Sequence, residues 1–285
     1  MAEFVVYSYQ FSPSFNDAPS LFPEERKDPK EVWENKQKYF EHIFNEDFVL
    51  KYRGAVFNHE LLYNENGLIA FRIANNKHLV QEAGFKTKRL NHNPSCLVLI
   101  DNRKDVQNIY IENNEYSFSD TSVVSRILSK SFCASLKTVG LIISINQKYN
   151  AREFWQFVEL AEDGIEMLRF SLQYPNLPSV RRRIDSMLSE ASKEVHSKQT
   201  NIEFNAGQGE TLELNQNNEK LKDLVDASAE TGNSITLKIK GLRKYRKVGN
   251  SVETVEIDNL EAALTSDLLS SASQKLLEII NSFKS

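Results

Sequence analysis

The apolar pattern along the chain changes its period several times, and each change marks an element. Phe4–Gln10 reads as a short apolar and aromatic strand. Pro13, Asn16, Asp17 and Pro19 then mark Ser12–Ser20 as a loop. Asp28-Pro29 opens a helix that runs from Lys30 to about Phe44. Pro29 suits the first turn, where a missing N–H costs nothing. Val32, Trp33, Phe40 and Ile43 share one broad face of that helix.

From Phe48 the period falls to that of strands. Phe48–Phe57, Gly67–Ala74, His78–Glu82, Ser95–Ile100 and Val106–Glu112 are rich in β-formers, and turn residues such as Asn64–Gly67, Asn75-Asn76 and Asp101–Lys104 part them. Together they predict an antiparallel meander with the Lys30–Phe44 helix packed on it. Ser119-Asp120 caps a helix to about Val139, and Leu141–Asn146 is a buried strand. Asn150 caps the next helix, with Glu153 placed three residues on for a capping box. That helix turns Phe154, Trp155, Phe157, Val158 and Ala161 toward a core. Asp163-Gly164 stops it, and Ile165–Leu172 is a strand.

Tyr174–Pro178 carries two prolines and predicts an extended linker. Beyond it Ser179–Ser197 reads as a polar helix with a narrow apolar stripe. Asn201–Asn205, Thr211–Leu214, Ser234–Lys240 and Val252–Ile257 read as strands, and Glu219–Ala227 and Leu260–Phe283 as helices. The expected class is α+β, with a strand-rich domain over residues 1–173, a proline linker over 174–178, and a smaller α+β domain over 179–285.

Composition narrows the picture. The chain has 285 residues, 40% of them apolar, which describes a globular protein. No apolar run approaches the roughly 20 residues a membrane-spanning helix needs. The start, Met1–Tyr7, has no basic region before an apolar one, so no signal peptide is expected. Cys96 and Cys133 lack metal spacing and fit reduced thiols, which points to the cytoplasm.

Against a net charge of −4, the segment Lys238–Lys247 stands apart: it holds six cations and one aromatic in ten residues. Alternation along Ser234–Lys240 sets Ile235, Leu237 and Ile239 on a core face, and Thr236, Lys238 and Lys240 on the other. Gly241–Asn250 then turns back into Ser251–Asp258, giving a β-hairpin with a cationic arm made by Arg243, Lys244, Arg246 and Lys247, with Tyr245 among them. Such density neutralises phosphates without reading sequence, and an exposed Tyr245 can stack on a base. The same charges also suit a solvated hairpin tip, or an edge strand kept from pairing by lysine.

Arg181, Arg182 and Arg183 open the helix after the linker, where cations oppose the helix dipole and so invite an external anion. Asp185, Glu190 and Glu194 can balance them instead. Lys86–Arg89 with His92 reads as a basic surface loop. For catalysis the chain offers little. Asp101 ends an apolar run and reads as a turn residue, the five histidines have no ligand spacing, and Gly207-Gln208-Gly209 reads as a turn rather than a phosphate loop. No catalytic residue, metal or cofactor is assigned.

The strand-rich first half, the apolar strand ending in Asp101-Asn102-Arg103, the Tyr174–Pro178 linker and the basic hairpin together resemble, in layout, bacterial phage-defence proteins of the RexA type. The resemblance implies DNA binding without sequence preference by a symmetrical homodimer, and it carries no catalytic residue onto this chain. The expected function is therefore a non-enzymatic, cytoplasmic, nucleic-acid-binding component of anti-phage defence, with DNA as the ligand and RNA as a possible one. The alternative is an interaction subunit whose basic arm docks an acidic partner protein.

Overall fold

The computed structural model describes residues 2–14, 28–45, 48–83, 86–173, 197, 199–249 and 251–257, without the side chains of 29, 78–83, 86–91 and 257. The Tyr174–Pro178 linker, the helix expected over Ser179–Ser197 except its last residue, with Arg181, Arg182 and Arg183, and the Leu260–Phe283 helix lie outside the described residues.

The strands are β1 (Ala2–Pro13), β2 (Leu50–Tyr52), β3 (Ala55–Phe57), β4 (His59–Glu65), β5 (Leu68–Ala74), β6 (Lys77–Ala83), β7 (Lys86–His92), β8 (Ser95–Asp101), β9 (Asn108–Glu112) and β10 (Leu141–Gln147). They continue as β11 (Ile165–Gln173), β12 (Gln199–Asn205), β13 (Ile235–Ile239), β14 (Arg246–Val248) and β15 (Thr254–Ile257). The helices are α1 (Pro29–Glu34), α2 (Lys36–Ile43), α3 (Thr121–Leu136), α4 (Arg152–Leu160) and α5 (Glu219–Thr231). The class is α+β, as expected. No described helix is long and apolar enough to cross a membrane.

Two compact units form, and they do not divide at the proline linker. One comprises residues 1–6, 16–143 and 254–285, the other residues 7–15 and 144–253. β11, which precedes residue 174, is an inner strand of a sheet whose other members follow it.

In the first unit, β1, β9, β8, β5 and β4 are successive neighbours of one sheet. The pairs β4–β5, β5–β8 and β8–β9 are antiparallel, so the meander is present. β5 and β8 are buried on both faces. Ile69, Phe71, Val98 and Ile100 line one face; Leu68, Ala70, Leu97 and Leu99 line the other with Phe4 and Tyr110. Phe44 at the end of α2 meets Phe71 and Phe132 at ring separations of 5.7 and 5.5 Å, which packs the helical pair α2 and α3 onto the sheet. The single helix expected over 30–44 is two, broken at Asn35. Asp28 caps the first of them, with Pro29 in its first turn. Residues 59–63 of β4 drew no assignment from the sequence, and basic β7, read there as a loop over Lys86–Arg89, pairs along its length with β6. β4 carries three consecutive apolar residues across a bulge, and β7 is too polar, so neither shows a strand's alternation.

In the second unit a four-stranded antiparallel sheet has the order β12-β11-β13-β14. Leu168, Phe170, Ile235 and Leu237 turn one face toward a core shared with Phe154 of α4 and Val225 of α5. Asn218 caps α5, its side chain accepting from Leu221 N. Residues 211–214, expected as a strand, are irregular.

Candidate nucleic-acid interface

The cationic segment leaves the core sheet through Gly241. Its φ of +77° places it in the left-handed region, with nothing within 4 Å of where a Cβ would sit. Residues 241–247 are all exposed, and the chain re-enters the core at Val248. The partner of β13 is not the expected 251–258 segment. It is β14, three residues long, with Ile235 opposite Val248, Thr236 opposite Lys247 and Leu237 opposite Arg246. Val248, opposite Ile235, is buried and closes the core there. β15 belongs to the first unit, where it pairs with Ala2–Val5 of β1. The basic residues Arg246 and Lys247 are therefore themselves the outer strand, rather than ornaments on a longer loop.

Directly opposed residues in a sheet point to one face. The registers set Glu203, Arg169, Thr236 and Lys247 in a rank across all four strands, on the face away from the core. Lys238 stands in the next rank, opposite Met167. A bulge at Glu166, between Ile165 and Met167, aims that carboxylate at Lys238, 2.8 Å from Nζ. The hydrogen bond to Glu166 holds the Lys238 ammonium above its usual range, and the Tyr245 phenol adds to the effect. Arg169 is paired with Glu203 at 2.6 Å. Hydrogen bonds from Asn205 and Arg169 hold Glu203 below the ordinary carboxylate range. Lys240 donates to the Gly209 carbonyl at 2.7 Å.

The predicted cations thus split into two sets. Lys238 and Lys240 are engaged within the sheet. Arg243, Lys244, Arg246 and Lys247 have no carboxylate partner among the described residues. Tyr245, 58% exposed, lies among them with Leu242, 43% exposed. Arg181, Arg182 and Arg183 lie outside the described residues, and so do the side chains of Lys86, Lys88 and Arg89.

The base of the arm is held by a residue whose role was misassigned from sequence. The N-cap of α4 is Ala151, one residue past the expected Asn150, whose side chain accepts from Arg152 N at 2.9 Å. Glu153 does not complete a capping box. Its carboxylate accepts from Gly249 N at 3.2 Å, Ser251 N at 2.8 Å and Ser251 Oγ at 2.5 Å. Gly249, at φ +116°, lies against the Tyr149 ring, which leaves a side chain there little room. The Tyr149 hydroxyl donates to Asn233 O at 2.8 Å, and burial pushes its pKa upward.

The residues that sequence weighed for catalysis are otherwise employed. Asp101 is fully buried and gripped by Arg103, Nε to Oδ1 at 2.8 Å and Nη2 to Oδ2 at 2.5 Å. Burial pushes the Cys96 thiol up to about 12. Both cysteines are free thiols. Among the described residues, no three His, Cys, Asp or Glu side chains are grouped to hold a metal. Three comparisons were made with known proteins: no family model, curated protein or solved structure matches this chain.

Proposed function

We propose that this chain is a nucleic-acid-binding protein that grips phosphate without reading sequence, and that the 241–248 arm is its contact. The observation that carries the proposal is the set Arg243, Lys244, Arg246 and Lys247, four exposed cations without carboxylate partners among the described residues, on a turn whose return is fixed by Glu153. Unpaired cations on an anchored support meet phosphates without first breaking internal ion pairs, and each contact releases a condensed counterion. The resemblance in layout supplies the setting: a cytoplasmic component of anti-phage defence, acting as a homodimer on DNA, with no chemistry of its own.

The test is a salt series of anisotropy measurements on labelled DNA, comparing the parent with a variant carrying R243E, K244E, R246E and K247E. The parent's log–log salt slope counts phosphate contacts at about 0.9 each on duplex. The variant loses most of that slope and the affinity with it. Equal binding by the two proteins at low salt defeats the proposal.

A second function is favoured by Leu242 and Tyr245, whose exposure beside cations also suits an acidic protein partner. In that case DNA does not bind, and one host protein is recovered with the parent but not with the charge-reversed variant.

A further inference from the structure

The registers place more on the outer face of the sheet than the arm alone. Lys247 is opposite Thr236. Continued by two residues, the same register sets Tyr245 opposite Lys238, and Tyr245 shares its face with Lys247 because residues two apart in an extended chain do so. The electrostatic effect of the Tyr245 phenol on Lys238 agrees with that placement. Arg169 lies on the same face, opposite Thr236. By that extension the exposed ring, just before β14, is flanked by Lys247 along the chain and by Lys238 across from it. The opposite face is closed by the core, where Ile235, Leu237 and Val248 are buried.

An exposed ring between ammonium groups offers two things at once: a π-face for a base and cations for the phosphates beside it. In a duplex, the faces of the bases are already stacked on one another. Only an unpaired base can offer its face to Tyr245 without first being unstacked.

We propose that the outer face of the β12-β11-β13-β14 sheet is a platform for single-stranded nucleic acid, with one base stacked on Tyr245 and a neighbouring phosphate held by Lys247, while Glu166 keeps Lys238 from the contact. The proposal rests on the nucleic-acid function given above and narrows it. Phosphate contact by the tip alone gives no preference for strand over duplex. A stacking platform does.

The experiment measures binding of the full chain to labelled oligothymidine, oligouridine and a mixed-sequence duplex of equal length, and to vesicles containing phosphatidylserine. The expected result is tighter binding of one or both single strands than of duplex. Y245A should then weaken single-strand binding by about 5- to 100-fold, as loss of one base stack does, and duplex binding by less than about twofold. Y245F, which keeps the ring, restores single-strand binding, and circular dichroism confirms that each variant is folded. Duplex binding equal to or tighter than single-strand binding overturns the inference, as does an equal loss on both ligands in Y245A. If duplex still depends on the four arm cations in either case, the broader function stands. Binding to the vesicles and to no nucleic acid overturns both.

Discussion

Lys238 of β13 donates to the Glu166 carboxylate at 2.8 Å, and it does so because β11 bulges at that residue. The bulge makes Glu166 a built-in competitor for a cation that would otherwise face solvent beside Tyr245. The cationic surface is thus partly neutralised by the sheet that carries it.

Removing that competitor is expected to strengthen binding. E166Q keeps the size of the side chain and frees Lys238. Affinity for single-stranded nucleic acid should rise, and the log–log salt slope should steepen by about 0.7, the value of one added phosphate contact on a single strand. An unchanged slope places Lys238 outside the contact.

Glu153 is expected to matter for stability and for the order of the arm. E153A strips a carboxylate from Gly249 N, Ser251 N and Ser251 Oγ. The loss should be about 1–2 kcal/mol in urea unfolding, less than the sum of three charged hydrogen bonds because the site is partly wetted. Trypsin should also cut the arm faster at low enzyme concentration. If the unfolding midpoint and the cleavage rate both match the parent, the carboxylate is not what holds the turn.

Stability should fall as the solution is acidified through the histidine range. The His59 ring lies 4.0 Å from that of Phe48, and burial lowers its pKa, with a backbone hydrogen bond at Phe57 opposing the shift. The unfolded chain therefore takes up a proton near pH 6.5, before the folded chain does. The associated loss begins as pH falls through about 6.5 and is complete below the folded value. H59Q should flatten the pH dependence of the urea midpoint in that window. A stability difference, parent minus variant, that is flat across this window, or that grows toward lower pH, contradicts this assignment.

Much of the fold was legible in the sequence. Long apolar runs such as Leu97–Ile100 and the Asp28-Pro29 and Ser119-Asp120 starts gave strands and helices where they occur, because burial on both faces and capping leave local marks. β7 left none, since Lys86, Lys88 and Arg89 break any apolar alternation, and only its register with β6 marks it as a strand. The candidate site was legible in its cations and not in its counter-charges. Arg169 and Glu203 are far apart in sequence, and only the register of β11 with β12 brings them to 2.6 Å. The expected hairpin misled in the same way: 251–258 has the apolar content of a partner strand, yet Val248 had already filled the place opposite Ile235.

Cutting the chain at the proline linker should not yield a domain. A fragment beginning at Ser179 retains β12, β13 and β14 but lacks β11, the strand between β12 and β13 that supplies Leu168, Phe170 and Leu172 to the core. It should show no cooperative urea transition. A sharp transition in that fragment would mean that β12 and β13 can close without β11.

β1 also has a consequence for biosynthesis. Ala2–Val5 pair with Thr254–Ile257, partners separated by almost the whole sequence. At ribosomal speeds of about 5–20 residues per second, that edge waits on the order of tens of seconds for its neighbour. It belongs to a strand whose Phe4, Val5, Val6, Tyr7, Tyr9 and Phe11 are all buried once folding is complete. An unpaired apolar edge of this kind recruits other nascent chains. The yield of native protein in a cell is then set by how fast translation finishes and how well chaperones shield the first strand, more than by the stability of the finished fold.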